Sequence, residues 1–166
     1  MLTAQGKHEL IHETALSYDV MIETGLYLGA GSGYGAAERY VVIDVSEENC
    51  ARAREQYAGA EVWQGDSALV LPLVLRLVDE PACFWLDAHL VVEYDSEEMV
   101  REHPIPLLGE LEAIRAWEHG PASTILIDDE RLFGSFGWPS RGDVLALCDL
   151  WDVDDAEDIL RLTPKL

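Results

Sequence analysis

Acidic residues follow five apolar stretches of strand length in this chain. They are Glu23, Asp44, Asp66, Asp87 and Asp128, and the last is followed directly by Asp129. Apolar stretches of this length predict strands, and the carboxyl ends of parallel strands lie along one edge of a sheet. A single acid at a strand end is common for structural reasons alone. Five at the same topological position predict a shared site.

The first three acids suit a nucleotide-like ligand. Glu23 is followed by Gly25, and a glycine turn after a strand lets a ligand approach the backbone closely. Asp44 ends the second apolar run, where a carboxylate can accept both hydroxyls of a ribose. Asp66 could accept a hydrogen bond from an exocyclic amine. These residues predict a nucleotide-type pocket.

The later acids suit a cation. Asp87, Asp128 and Asp129 offer oxygen ligands alone, which favours Mg²⁺, Mn²⁺ or Ca²⁺ over zinc. His89 lies two residues after Asp87. Its imidazole titrates near neutral pH, so His89 is a candidate general base, and it is equally a candidate for orienting the loop by hydrogen bonding.

Apolar runs alternate with helical patterns, which predicts a single α/β domain over 1–166. The expected fold is doubly wound and Rossmann-like, with a mainly parallel sheet, helices on both faces and a C-terminal antiparallel strand pair within 153–162. We expect strands over 19–24, 40–44, 61–63, 82–87 and 123–128. We expect helices over 4–17 (a possible lid within 1–17), 32–39, 46–58 with Ser46 as N-cap, 67–78 with Leu69, Leu73 and Leu77 on its buried face, 106–118 and 141–150.

The ordered acids occur within a motif series that resembles a known family. The series is Glu23-Thr24-Gly25 with Gly29, then Asp44, Gly65-Asp66-Ser67, Phe84-Trp85-Leu86-Asp87-Ala88-His89 and Ile127-Asp128-Asp129. It resembles that of class I S-adenosylmethionine-dependent methyltransferases, and is most similar to the small metal-dependent O-methyltransferases of the catechol and macrocin types. The resemblance covers roughly residues 18–135.

The resemblance implies a cofactor, a metal and a reaction. S-adenosylmethionine would be bound by Glu23, Gly25, Gly29, Asp44, Asp66 and Ser67, with Tyr27 either bordering the cofactor or packing in the core. Mg²⁺ or another divalent cation would be bound by Asp87, Asp128 and Asp129. The expected function is metal-assisted methylation of a hydroxyl on a small molecule, with Asp87 and His89 as the catalytic residues. The alternative is a non-methylating ligand-binding or interaction domain of the same fold.

Two short motifs point to other chemistry. His8-Glu9-Leu10-Ile11-His12 matches the H-E-x-x-H pattern of zinc hydrolases, but no clear third ligand follows it. Residues 31–36 match G-x-G-x-x-A, which is typical of NAD-dependent oxidoreductases. That first glycine comes seven residues after Thr24, too late for a turn that should follow the strand immediately. Both readings are weaker alternatives.

Composition limits the partners. The chain has 32 acidic and 11 basic residues and a formal net charge of -21. Nucleic acids and anionic membranes need a basic surface, so neither is expected as a partner. No apolar run reaches the length of a membrane span, and there is no signal pattern, so we expect a cytoplasmic protein. The three cysteines show no paired spacing and are expected in the core. The composition is compatible with a homo-oligomer.

Overall fold

The structure is a computed structural model that describes residues 4–26, 31, 33–89, 104–135 and 137–165. The strands are β1 (Val20–Thr24), β2 (Arg39–Asp44), β3 (Glu61–Gln64), β4 (Ala82–Leu86), β5 (Thr124–Ile127), β6 (Trp151–Asp155) and β7 (Leu160–Pro164). The α-helices are α1 (Ala4–Ala15), α2 (Glu47–Gln56), α3 (Ser67–Leu75), α4 (Leu107–Ala116) and α5 (Arg141–Ala146). Tyr27 and Gly29, and the segment 90–103, lie outside the described residues.

The strands form one seven-stranded sheet in the order β3-β2-β1-β4-β5-β7-β6. The first five strands pair in parallel, whereas β7 runs antiparallel to both β5 and β6. After β3 the chain returns to the middle of the sheet and adds β4 beside β1. That reversal creates a topological switch point between β1 and β4, where α/β sheets bind their ligands. The predicted fold class is confirmed.

Helices cover both faces of the sheet because the central strands are apolar on both sides. One face packs Ile22, Phe84 and Ile125 against residues of α3 and α4. The other face packs Met21, Val42 and Trp85 against residues of α1 and α2. Strands that are buried on both faces read as continuous apolar runs, which is why β1, β2 and β4 were found without an alternating pattern.

Two predicted features of the helices are wrong. Residues 33–38 form turns and bends instead of helix. In the segment 67–78, which contains α3, the predicted buried stripe is exposed: Leu69, Leu73 and Leu77 are 71%, 47% and 59% accessible. The buried face of this segment holds Leu71, Val74, Leu75 and Val78 instead. Both faces are apolar, so residue type did not identify which one meets the sheet.

Polar residues begin two helices as their sequence suggests. The Ser46 hydroxyl accepts a hydrogen bond from the Asn49 amide at 3.3 Å, which confirms Ser46 as the N-cap of α2. Asp66 caps α3 in the same way by accepting from the Ala68 amide at 2.9 Å. Each cap satisfies a backbone donor that has no partner within its helix.

The β6–β7 connection is a two-residue hairpin. Ala156 and Ile159 exchange backbone hydrogen bonds of 2.8 and 3.2 Å, and both residues between them have positive φ, 50° at Glu157 and 86° at Asp158. Positive φ at both central positions is typical of a type I′ turn, whose twist matches the strands. The turn places Asp158 beside the end of β5, where its carbonyl accepts from the Glu130 amide at 3.2 Å.

All three cysteines, Cys50, Cys83 and Cys148, are free and buried, as expected. Within the described part of the chain, the helices are too short or too polar to cross a membrane.

Candidate functional site

Backbone hydrogen bonds tie the carboxyl ends of the five parallel strands together. The Asp87 amide donates to the Thr24 carbonyl at 2.9 Å, which joins β4 to β1. The Asp128 amide donates to the Leu86 carbonyl at 3.1 Å. On the other side, the Gly65 amide donates to the Asp44 carbonyl at 2.9 Å. The predicted row of acids therefore lies along one edge of the sheet.

Gly25 makes the turn that opens this edge. Its φ is +82°, a conformation that glycine adopts at little cost. Its amide donates to the Ile43 carbonyl at 2.9 Å. A Cβ at this position would lie 2.4 Å from the carbonyl oxygen of Asp87. The turn therefore packs backbone to backbone against the end of β4, and glycine is required both for its φ and for the close approach.

Asp44 is fixed at the end of β2 by the chain's own amides. One carboxylate oxygen accepts from the Leu26 amide at 2.6 Å, and the other accepts from the Ser46 amide at 2.7 Å. The residue is 6% exposed. A carboxylate held in this way is preorganised beside the Gly25 turn, where the hydroxyls of a ribose would need an acceptor.

Glu23 accepts hydrogen bonds from the glycine-rich segment and from a neighbouring tyrosine. It is buried, and one carboxylate oxygen accepts from the Tyr40 hydroxyl at 2.6 Å and from the Gly33 amide at 3.2 Å. Burial, together with the Glu23 charge, raises the pKa of Tyr40 above its ordinary value, so the phenol remains a donor. Glu23 thus binds the backbone at Gly33, in the segment that follows β1.

A buried carboxyl that the sequence did not single out lies under the same edge. Glu110 of α4 is 1% exposed. Burial raises its pKa to about 7, against the opposing effect of the Ser67 and Thr24 hydroxyls that face it. Thr24 Oγ1, Ser67 Oγ and Glu110 Oε1 each lack a well-formed hydrogen bond within the described residues. The hydroxyl of Ser67, a predicted cofactor residue, is therefore buried beside Glu110, whereas Asp66 is exposed at the edge.

His89 lies between two carboxylates. Its Nδ1 is 3.3 Å from Asp87 Oδ1, and its Nε2 is 3.4 Å from Asp129 Oδ2. Trp138 covers the ring at a centroid distance of 5.2 Å. Burial alone would lower the pKa of His89. The Asp87 and Asp129 carboxylates outweigh burial and raise this pKa above its ordinary value. Burial in turn raises the pKa of Asp87, an effect that His89 and Lys7 oppose. The imidazole is thus held by acids on both sides.

Lys7, from the first helix, contacts the acids at the end of β5. Its Nζ donates a short hydrogen bond to Asp128 Oδ1 and lies 3.7 Å from oxygens of both Asp129 and Asp158. Arg131 contacts Asp158 as well, and its Nη1 is 2.5 Å from Asp129 Oδ1. Burial and the Asp87 charge raise the pKa of Asp128 to about 6, against the opposing effect of Lys7.

The three predicted metal ligands therefore do not converge on a single site that is free for a cation. Among the described residues, the potential ligands form two groups, Asp87 with His89 and Asp129, and Asp128 with Asp129 and Asp158. Neither group contains His8 or His12 of the H-E-x-x-H motif. The second group is already contacted by Lys7 and Arg131. The donor set does not fit a divalent cation held by Asp87, Asp128 and Asp129 while Lys7 is in place.

Sequence reasoning missed Lys7, Glu110 and Asp158. For Lys7 there was a signal, because it lies four residues before Ile11 and eight before Ala15, both fully buried on α1. Residues at this spacing share one face of a helix, so Lys7 belongs to the side that meets the sheet. No signal of this kind was available for Glu110, since an acid on an amphipathic helix ordinarily faces water.

A Gly25→Ala substitution should destabilise the protein more than Gly59→Ala. Both glycines have positive φ, +82° and +86°, so both variants carry the same backbone penalty of about 1 kcal/mol. At Gly59 a Cβ meets nothing within 4 Å, whereas at Gly25 it meets the Asp87 carbonyl. Urea unfolding measures the two losses. Equal losses would show that the turn does not pack against β4 as described.

A Glu110→Gln substitution should remove a pH-dependent loss of stability. The pKa of Glu110 is about 7 in the fold against an ordinary value of 4.5, so the folded chain binds this proton more tightly than the unfolded chain. Stability from this group is then present at low pH and is lost as pH rises from about 4.5 to about 7. At about 1.4 kcal/mol per unit, the loss is on the order of 3 kcal/mol.

The measurement is urea unfolding of wild type and Glu110→Gln between pH 5 and pH 8. The free energy of unfolding of the variant should rise relative to wild type across this range. Glu112→Gln, an exposed change on the same helix, is the matched control and should show a flat difference. A flat difference for Glu110→Gln as well would mean that Glu110 is already ionised in the fold.

No family model and no curated protein sequence matches this chain. Solved structures do share its fold. The N-methyltransferase NodS from Bradyrhizobium japonicum is 14% identical with a TM-score of 0.59, covering 97% of this chain and 96% of that one. A TehB-like SAM-dependent methyltransferase from Corynebacterium glutamicum is 14% identical with a TM-score of 0.58, covering 96% and 87%.

A third structure is CalS11, a TDP-rhamnose 3′-O-methyltransferase of calicheamicin biosynthesis. It is 16% identical with a TM-score of 0.57, covering 95% of this chain and 77% of that one. At these identities the likeness establishes architecture. The chain has the Rossmann-like fold of these methyltransferases over almost its whole length.

Proposed function

We propose that this protein is an S-adenosylmethionine-dependent methyltransferase that acts on a hydroxyl group of a small molecule. The observation that carries the proposal is the junction at the switch point of the sheet. There the Gly25 turn packs directly on the backbone of Asp87, with Asp44 on one side and His89 on the other. Asp44, the acid proposed to bind the nucleoside, and His89, the candidate base, thus lie on either side of the Gly25 turn. The shared fold with methyltransferases supports the same reading.

The described residues fit the cofactor. Asp44 would accept the ribose hydroxyls, the backbone at Gly25 would border the amino-acid portion, and exposed Asp66 would accept from the adenine amine. NodS, which shares the fold, has also been solved with S-adenosyl-L-homocysteine bound. The cofactor supplies a methyl group already activated by its sulfonium, so the protein mainly has to align an acceptor with it.

His89 would remove the acceptor proton. A hydroxyl must lose its proton as it attacks, and an imidazole is a suitable base at neutral pH. A proton on Nδ1 would face Asp87 and leave Nε2 as the accepting atom, so the acceptor hydroxyl would have to reach Nε2 beside Asp129 Oδ2. Asp87 then orients the ring and stabilises the imidazolium that forms. This requirement for a base is what favours a hydroxyl over an amine as the acceptor.

The proposed reaction does not use the divalent cation that the sequence resemblance implied. Lys7 contacts Asp128 and Arg131 contacts Asp129, which are two of the three carboxylates that would bind the cation. The base proposed here uses Asp87 and His89 and needs no other group from that cluster.

Calorimetry with S-adenosylmethionine tests the proposal. Wild type should bind one equivalent, and Asp44→Asn should weaken binding by about 10- to 100-fold, the usual effect of removing a charged hydrogen-bond acceptor. Asp149→Asn, at an exposed acid that pairs with Arg115, is the control and should bind as wild type does. If wild type binds neither S-adenosylmethionine nor S-adenosylhomocysteine, the proposal fails and a non-methylating module takes its place.

The pKa of His89 should lie above its ordinary value of 6.5 and should fall in Asp87→Asn. Burial lowers the pKa of His89, and the Asp87 carboxylate raises it most, through its side-chain contact and then its charge. Replacing that carboxylate with a neutral amide should therefore lower the pKa. Proton NMR titration of the five histidines measures this directly, with the His89 signal assigned from its loss in His89→Ala. Asp149→Asn should leave the signal unchanged. A pKa of His89 below 6.5 in wild type would remove the case for a carboxylate-supported base.

A further inference from the structure

The end of β5 and the β6–β7 turn bring three carboxylates together around a single ammonium group. Asp128, Asp129 and Asp158 all have oxygens within 4 Å of Lys7 Nζ. The three acidic side chains are 10%, 12% and 5% exposed, and the Lys7 side chain is 18% exposed. Carboxylates withdrawn from water in this way need a compensating positive charge, because leaving them unpaired is strongly unfavourable.

The helix that carries Lys7 is anchored. Ile11 and Ala15, one and two turns further along the same face of α1, are buried in the core against the sheet. The ammonium is therefore delivered to the acids by a packed helix. Lys7 is also one of only two lysines in the chain, the other being Lys165. A chain with 32 acids places one of its two lysines at this point.

We propose that Lys7 is the resident cation of the Asp128–Asp129–Asp158 cluster and that it excludes divalent cations from it. An ammonium and a metal ion cannot share the position, since both need the same carboxylate oxygens at contact distance. Asp129 is shared between this cluster and His89, because its Oδ1 lies 3.7 Å from Lys7 Nζ and its Oδ2 lies 3.4 Å from His89 Nε2. The inference concerns which cation occupies the cluster and does not depend on methyl transfer.

The proposal has a direct consequence for variants at Lys7. Lys7→Met keeps the apolar stem of the side chain but removes its charge. The three carboxylates are then left with Arg131, whose side chain is 45% exposed. Three converging oxygen ligands with excess negative charge suit Mg²⁺, Mn²⁺ or Ca²⁺. Removing Lys7 should therefore create a metal site that wild type lacks.

The test is a calorimetric titration with MnCl₂ in buffered NaCl, paired with thermal unfolding in the presence and absence of Mn²⁺. Lys7→Met should bind one Mn²⁺ at least about tenfold more tightly than wild type and should gain thermal stability from the ion. Lys165→Met is the matched control, because Lys165 Nζ donates to the Asp149 carbonyl away from the cluster. It should behave as wild type does. The double variant Lys7→Met/Asp158→Asn should lose the new binding.

Two results would overturn the proposal. One is that folded Lys7→Met binds Mn²⁺ no better than wild type. The other is that wild type binds a stoichiometric Mn²⁺ that Asp158→Asn abolishes, a measurement that stands even if Lys7→Met does not fold. Since neither titration uses S-adenosylmethionine, the result is independent of the cofactor calorimetry. A protein that binds no cofactor would still answer this question.

Discussion

The hydrogen bond from the Asp87 amide to the Thr24 carbonyl is the constraint on which the site depends. It extends the β1–β4 register one residue past the strands and brings the Gly25 turn against the backbone of Asp87. Through this contact, the half of the sheet that carries Asp44 is joined rigidly to the half that carries His89. A pocket that must align two molecules needs such a junction, because small displacements of reacting atoms are costly in rate.

The chain compensates for the burial of its carboxyl groups in three different ways. Glu23 and Asp44 receive hydrogen bonds from backbone amides, and Glu23 also from a tyrosine. Glu110 faces the Ser67 and Thr24 hydroxyls, and burial outweighs their effect and raises its pKa to about 7. Asp128, with its neighbours, is compensated by Lys7. These solutions lie near one edge of the sheet, so neighbouring acids there are stabilised by different groups.

Sequence reasoning reached the fold and the row of acids because both follow from short-range rules. Apolar runs of strand length, each ending in an acid, specify the parallel strands and the edge at which their ends meet. The same rules could not choose between the two apolar faces of α3, and so Leu69 was placed on the wrong side. They could not identify Lys7 as the partner of Asp128 either, since 121 residues separate the two in the chain. Such a pairing is set by the completed sheet and not by any local pattern.

That same separation implies an order of assembly. The strands that frame Asp44 and Gly25 are complete in sequence by the end of β4, whereas the turn carrying Asp158 follows β6 near the other end of the chain. During synthesis, the half of the sheet that carries Asp44 and Gly25 can therefore form before β5, β6 and β7 are added. Lys7 can contact Asp128 and Asp129 once β5 is in place, but its contact with Asp158 also needs the turn between β6 and β7. Ile11 and Ala15 of the same helix pack against the central strands, so α1 can dock on the sheet before the contact between Lys7 and Asp158 is made.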